Sequence, residues 1–181
     1  MEETNKISIQ YLKTNYGELI LGSFDDKLCL CDWRYRKMRS TIDLRIQKGL
    51  NTSYLEQSTS VIIDTISQLE SYFAGHLKQF EIPIKLIGSD FQKSVWDELL
   101  KIPFGQTETY LGLSKKMGKP NAIHAVASAN GANAISIIVP CHRIIGSSGE
   151  LIGYAGGLSA KKKLLLHESK DQFKDQLQLF K

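Results

Sequence analysis

The chain has 181 residues, 42% hydrophobic and 23% charged, with 23 Lys and Arg against 19 Asp and Glu for a net charge of +4. That length suits one ordinary domain or two small ones with a sizeable core, and it excludes a wholly disordered or low-complexity chain. Residues 1–87 carry 11 basic and 11 acidic side chains, so the whole positive excess falls in residues 88–181, a bias that suits either a polyanion-binding face or an ordinary solvated surface. The longest apolar run, Ile135–Val139, is interrupted by Ser136 and stopped by Pro140, far short of a membrane span. The start, Met1-Glu2-Glu3, is acidic, unlike a signal peptide. Three cysteines form no disulfide framework. The expectation is a soluble, cytoplasmic protein.

The first third reads as strands and turns. Ile7–Tyr11 alternates, Glu18–Gly22 does so more loosely, and Asp25-Asp26-Lys27 turns into Leu28–Trp33. Ile62, Ile66, Leu69 and Phe73 then recur at helical spacing, with Gly75 as a stop. Phe80–Ile84 resumes an extended pattern. Gly88-Ser89-Asp90 offers a cap for an amphipathic helix on Phe91, Val95, Trp96 and Leu99 that ends before Pro103. Helices over 110–117 and 122–130, joined by the Gly118-Lys119-Pro120 turn, make a helix-turn-helix pattern. Ile135–Val139 reads as a short strand, glycine-rich loops follow, and a last helix over 159–168 is capped by Ser159. The polar stretch from Ser169 to Lys181 has no assigned structure. The fold class is α+β: a small N-terminal α/β domain over residues 1–87 and a mainly helical domain over 88–181.

Cys141 stands out chemically. It lies beside Pro140, His142 and Arg143, and cationic neighbours raise the thiolate fraction that makes a cysteine nucleophilic. In an extended chain His142 would point to the opposite face, so it needs a turn or a bridging water to act as the base. Glu168 is a candidate to orient it. A structural, buried cysteine is the competing reading. Cys29 and Cys31 read as core thiols, because no second cysteine pair completes a zinc set. The glycines after Cys141 fit neither a dinucleotide fingerprint nor a P-loop. Lys161-Lys162-Lys163 reads as a solvated helix edge, with a phosphate-facing surface as the alternative.

The string Ile138-Val139-Pro140-Cys141-His142-Arg143 closely resembles the active-site signature of the O6-alkylguanine-DNA alkyltransferases, the methylated-DNA–protein-cysteine methyltransferases. The resemblance continues in order through Phe91-Gln92, Val95-Trp96, Leu99, Ile102-Pro103, Gly105, Thr107 and Tyr110. It runs on through Asn130-Gly131-Ala132-Asn133, Gly153-Tyr154-Ala155-Gly156-Gly157 and Leu165-Leu166-His167-Glu168. It is strong from about Leu69 to Glu168 and loose before that.

The resemblance implies that Cys141 takes the alkyl group from guanine O6 in one irreversible displacement, so that each molecule acts once and needs no cofactor and no metal. His142 would deprotonate Cys141 through a water, Glu168 would orient His142, and Asn133 would hold the active-site turn. Tyr110 would donate to the leaving guanine. Ile144, Tyr154, Ala155 and Gly156 would line the base pocket with Cys141. The helix pair would read duplex DNA from the minor groove and flip the damaged nucleotide, with Asn121, His124, Ala125, Ser128 and Arg143 as DNA contacts. The protein would be a monomer, able to bind cooperatively along DNA, cytoplasmic, and nucleoid-associated in a bacterial or archaeal host. The first domain would take the family's ribonuclease-H-like shape.

Two positions depart from the family pattern. His124 stands where an Arg usually fills the gap left by the flipped base, which implies weaker binding or slower flipping with the chemistry retained. Ala134 stands where Pro is common. No four-cysteine regulatory module is present. The other classes weighed are a non-catalytic damage sensor or simple helix-turn-helix factor, against which the intact Cys141-His142 with Glu168 speaks, and a thiol hydrolase, for which the sequence identifies no oxyanion hole.

Overall fold

Apolar strands of seven or eight residues separated by two-residue turns dictate the start of the chain. In the computed structural model, which describes residues 5–169, β1 (Ile7–Thr14), β2 (Gly17–Phe24) and β3 (Lys27–Trp33) form an antiparallel meander. Asp25 and Asp26 both have positive φ, 48° and 57°, the backbone that matches a two-residue hairpin to the twist of its strands. After helix α1 (Arg39–Gly49), β4 (Tyr54–Glu56) adds parallel to β1, giving the order β3-β2-β1-β4. A parallel neighbour requires such a crossover. Helix α2 (Ser60–Phe73), capped by the Thr59 hydroxyl on the Ile62 amide, packs Ile62, Leu69 and Tyr72 inward. In β3 every residue from Leu28 to Trp33 is buried, the continuous burial of a strand covered on both faces.

The chain divides into two compact units, 1–89 and 90–181. In the second, helix α3 (Asp90–Leu99) buries Val95, Trp96 and Leu99 and packs on α5 (Ile123–Gly131). The Trp96 indole N–H donates to the Ala129 carbonyl at 2.8 Å, which fixes α5 by a directional bond as well as by apolar contact. Helix α4 (Tyr110–Lys116) is capped by Thr109, whose hydroxyl accepts from the Gly112 amide. The turn to α5 is closed by the Ser114 hydroxyl, which donates to the Lys119 carbonyl. Two residues before α4, β5 (Glu108–Thr109) pairs in parallel with β6 (Ile144–Ile145). The final helix is α6 (Leu158–Glu168).

Several expectations need correction. Helix α1 and strand β4 are additional to the elements read from the sequence, because α1 buries only Ile42 and Ile46 and lacks a continuous apolar stripe. Phe80–Ile84 forms no strand and contributes a single bridge, Leu28 to Ile84. Ile135–Val139 is no strand: Ile135 makes an isolated bridge and the chain then turns through Ser136–Ile138, with Ile137 at φ 73°. Helix α6 starts after Gly157, and no side chain, Ser159 included, caps it. The stretch 170–181 lies outside the described residues. No described helix is long and apolar enough to cross a membrane.

Candidate active site

The segment from Asn133 to Arg143 departs from regular structure, so its backbone needs partners from side chains. Asn133 supplies them: its Nδ2 donates to the Val139 carbonyl at 2.9 Å and its Oδ1 accepts from the Ile135 amide at 2.9 Å. Within this clamp Ile137 holds a left-handed backbone that β-branched residues rarely adopt, at a cost of about 1–3 kcal/mol. Ala134 is buried in the same turn. The chain leaves it at Pro140 and coils into a 3₁₀ turn, Cys141–Arg143, whose three side chains are all buried. That turn brings Cys141 and His142 into one helical turn, where an extended strand would have sent them to opposite faces.

His142 is fully buried, and its Nε2 pairs with Glu168 Oε1 at 2.8 Å. Arg143 clasps the same carboxylate, Nε to Oε2 at 2.8 Å and Nη2 to Oε1 at 2.9 Å, while its Nη1 donates to the Ile102 carbonyl at 2.6 Å. Burial alone would raise the Glu168 pKa, but His142 and Arg143 outweigh it and hold the carboxyl well below the usual carboxylate range. Burial pushes the His142 pKa down; Glu168 opposes this, and the charges of Arg143 and Lys161 add to it. The imidazole is therefore neutral at pH 7. With Nε2–H committed to the carboxylate, Nδ1 is the basic nitrogen, a tautomer assigned from the hydrogen-bond network. Nδ1 is buried and has no hydrogen-bond partner among the described residues. Gly105 lets Glu168 sit this close: at φ 79°, a Cβ there would lie 3.1 Å from the Glu168 carbonyl oxygen.

Around this centre, the Tyr110 hydroxyl donates to the Ile152 carbonyl at 3.2 Å. Its pKa is raised by burial and by the charge of Cys141, against an opposing bond from Asn130. Tyr154 meets the His142 ring edge-on, with centroids 6.5 Å apart. Ala155 and Gly156 continue that loop, half-buried. Ile144 is buried, and its amide donates to the Cys141 carbonyl. The structure thus gathers Cys141, His142, Glu168, Asn133, Tyr110 and the Tyr154 loop into one unit.

On α5, His124, Ala125 and Ser128 are exposed at spacings of one and three that share a face, while Val126, Ala129 and Asn130 are buried on the other side, and Asn121 is exposed in the turn two residues before the helix. Arg143 does not join them. Its buried guanidinium is taken by Glu168 and Ile102, which corrects its expected place among the DNA contacts. The solvated lysine edge is corrected at its first position: Lys161 is fully buried, whereas Lys163 is exposed. The signal for it was present: Lys161, Leu164, Leu165 and Glu168 share one face of α6 by their spacing. Cys29 and Cys31 are buried thiols. Burial drives the pKa of Cys29 up to about 12 and that of Cys31 higher still, which leaves both inert at neutral pH.

The family model described as the 6-O-methylguanine DNA methyltransferase DNA-binding domain matches residues 90–170. A methylated-DNA–protein-cysteine methyltransferase of Mycobacterium leprae is 50% identical over 117 residues, 65% of this chain and 70% of the relative. One from Methanosarcina acetivorans is 54% identical over 98 residues, so the match spans 63% of that relative's length and 54% of this chain. Among solved structures, the Mycobacterium tuberculosis OGT in complex with DNA is similar with a TM-score of 0.78 and 35% identity, over 96% of this chain and 99% of that one.

Proposed function

This chain belongs to the methylated-DNA–protein-cysteine methyltransferase family, and we propose that it repairs DNA by moving the alkyl group of O6-alkylguanine onto its own Cys141. The observation that carries this reading is the placement of Cys141 in the same 3₁₀ turn as a buried, neutral His142 whose Nε2 is fixed by Glu168 and whose Nδ1 remains available as a base.

In the reaction His142 Nδ1 takes the thiol proton through a water. The sulfur displaces guanine from the alkyl carbon, so one S–C bond forms as the O6–C bond breaks. The leaving guanine is protonated as it departs, with Tyr110 donating, which spares the free base a negative charge; the tyrosinate then regains a proton from water while His142 releases the one it took from the thiol. A thioether does not hydrolyse, so each molecule acts once. Asn133 keeps the turn in shape, and the 152–156 loop with Ile144 and Tyr154 encloses the base.

Guanine O6 lies in the major-groove edge of a stacked base, so the nucleotide must be extruded before a buried sulfur can reach it. We assign extrusion to α4 and α5, acting as a helix-turn-helix whose exposed Asn121, His124, Ala125 and Ser128 face enters the minor groove, with His124 filling the vacated stack. The order β3-β2-β1-β4 with a helical crossover to a parallel β4 supports a ribonuclease-H-like first domain. The protein would act as a cytoplasmic monomer on duplex DNA and would need no cofactor. A damage sensor would not require a nucleophile beside a fixed base.

The test is intact-protein mass after mixing with duplex DNA carrying O6-methylguanine. One methyl gained per protein in place of one hydrogen, mapped to Cys141 and stopping there, is the expected result. DNA binding with no gain in mass would overturn the reading.

A further inference from the structure

A glycine weakens a helix interior, and short helices are marginal on their own. Helix α4 is seven residues long and still carries Gly112 in its first turn. The backbone there is ordinary right-handed helix, so conformation does not call for glycine. Room does: a Cβ on residue 112 would overlap the Glu108 carboxylate, coming within 2.7 Å of its Cδ. The helix forgoes a better helix former, and this acid lies across its first turn.

Glu108 holds α4 at both ends. Its Oε1 accepts from the Thr109 amide at 2.8 Å, where the helix begins, and its Oε2 pairs with Lys116 Nζ at 2.6 Å, where the helix ends. An exposed ion pair alone contributes little. This carboxylate differs, because its other oxygen binds backbone and because Gly112 makes room for it. Burial would raise the Glu108 pKa, but Lys116 and the Thr109 amide outweigh it and bring it down, so the clasp is charged at neutral pH.

The backbone of Glu108 is fixed as well. It lies opposite Ile144 in the β5–β6 ladder, and Ile144 follows directly on the 3₁₀ turn that carries Cys141. Tyr110, the first residue of α4, sends its hydroxyl to the Ile152 carbonyl at 3.2 Å. Glu108 therefore joins the turn of the nucleophile to the helix of the proton donor, by its main chain on one side and its carboxylate on the other.

We propose that Glu108 is a positioning residue for Tyr110: with its backbone in the β5–β6 ladder and its carboxylate clasping α4 over Gly112, it fixes the direction in which that helix leaves the active-site turn, and so aims the Tyr110 hydroxyl at the base beside Cys141. The inference rests on the alkyl-transfer reading and deepens it by naming what holds the donor in line. Gly112 is the matching half of the device, since any larger residue displaces the acid.

The experiment is single-turnover methyl transfer from duplex O6-methylguanine by the full chain, at duplex concentrations well above Kd so that affinity does not enter. Glu108→Gln keeps the shape, but its one oxygen can accept from the Thr109 amide or from Lys116 and not from both. It should transfer about 10-fold more slowly, within the loss that a misplaced reacting group produces. Gly112→Ala favours the helix yet displaces the carboxylate, and it should be slowed to a similar degree, which a merely stabilising role for Glu108 would not produce. In a Tyr110→Phe background neither substitution should slow transfer further. Transfer by Glu108→Gln or by Gly112→Ala at the unaltered rate would overturn the proposal. So would an equal fold-loss with and without the Tyr110 hydroxyl, and the Gly112→Ala measurement decides even if Glu108→Gln does not fold. No methyl gain by the unaltered protein would instead sink the alkyl-transfer reading beneath it.

Discussion

Replacing Glu168 with Gln isolates the buried network from the nucleophile. In the native site Oε1 accepts from His142 Nε2 and Arg143 Nη2 while Oε2 accepts from Arg143 Nε. A glutamine keeps one oxygen and puts an NH2 where the other stood. In either orientation that NH2 faces at least one N–H donor, and the Arg143 charge is left buried beside Ile102 with no anion. Breaking a buried ion pair from one side costs about 3–5 kcal/mol, a large share of the roughly 5–15 kcal/mol that holds an ordinary domain folded. Urea unfolding of Glu168→Gln should show that loss at pH 7. The methyl-transfer rate should fall by about 10²–10⁴, the usual reach of general-base catalysis. The sign with pH follows from the depressed carboxyl: its contribution is complete above its unfolded pKa near 4.5 and is lost as pH falls below that. The gap between native protein and variant should therefore be constant from pH 6 to 8 and close below about 4.5. A variant within about 0.5 kcal/mol of the native protein at pH 7, the range of a neutral surface change, would refute the claim that this carboxylate holds His142 and Arg143 in place.

Cys141→Ser should abolish methyl transfer, read by intact mass, while leaving duplex binding unchanged; retained transfer would remove Cys141 as acceptor. His124→Arg, on the exposed face of α5, should tighten DNA binding or speed repair in a stopped-flow assay, and identical kinetics would show that the shorter side chain is compensated elsewhere. Duplex affinity should fall as salt rises, whereas a flat titration would argue against phosphate contacts. Lys161 loses its proton at about 8 when folded and near 10.5 when unfolded, so its burial penalty, about 3 kcal/mol below pH 8, is relieved as pH rises between those values. The stability of the native protein relative to Lys161→Met should therefore climb across that interval; a constant difference in denaturation midpoints would place the ammonium in water.

What could be read from the sequence depended on how far apart the cooperating residues lie. Strands β1 to β3 and helices α2 to α5 carry their periodicity and turn residues locally, so pattern alone located them within a few positions. Helix α1 did not declare itself, because it buries only Ile42 and Ile46, and its ion pair to Asp32 of β3 through Arg39 carries no periodic signal. The run Ile135–Val139 reads as a strand by composition, yet Asn133 satisfies its backbone from the side and leaves no edge for a ladder. The nucleophile, its base and the orienting acid were legible through the signature and its order. The partner of Arg143 was not, because the adjacent basic pair His-Arg looks the same whether it faces phosphate or a carboxylate 25 residues away. Lys161 was misread for a different reason: three consecutive lysines suggest a solvated edge, and only the helical phase set by Leu164, Leu165 and Glu168 shows that the first of them points inward.

Arg143 also explains how a histidine next to a buried carboxylate can still be a base. A lone Glu168 would draw His142 toward the imidazolium form, which has no lone pair to accept a thiol proton. Arg143 shares that carboxylate through two nitrogens, so much of its negative charge is already answered. Burial then sets the direction of the His142 pKa, and the charges of Arg143 and Lys161 push it the same way. The result is an imidazole whose Nε2–H is pinned by geometry while its Nδ1 stays unprotonated at neutral pH. Arg143 therefore contributes to the chemistry from inside the protein, by neutralising the acid that orients the base. That cation is buried, so raising the salt should weaken DNA binding far more than the transfer step that follows it.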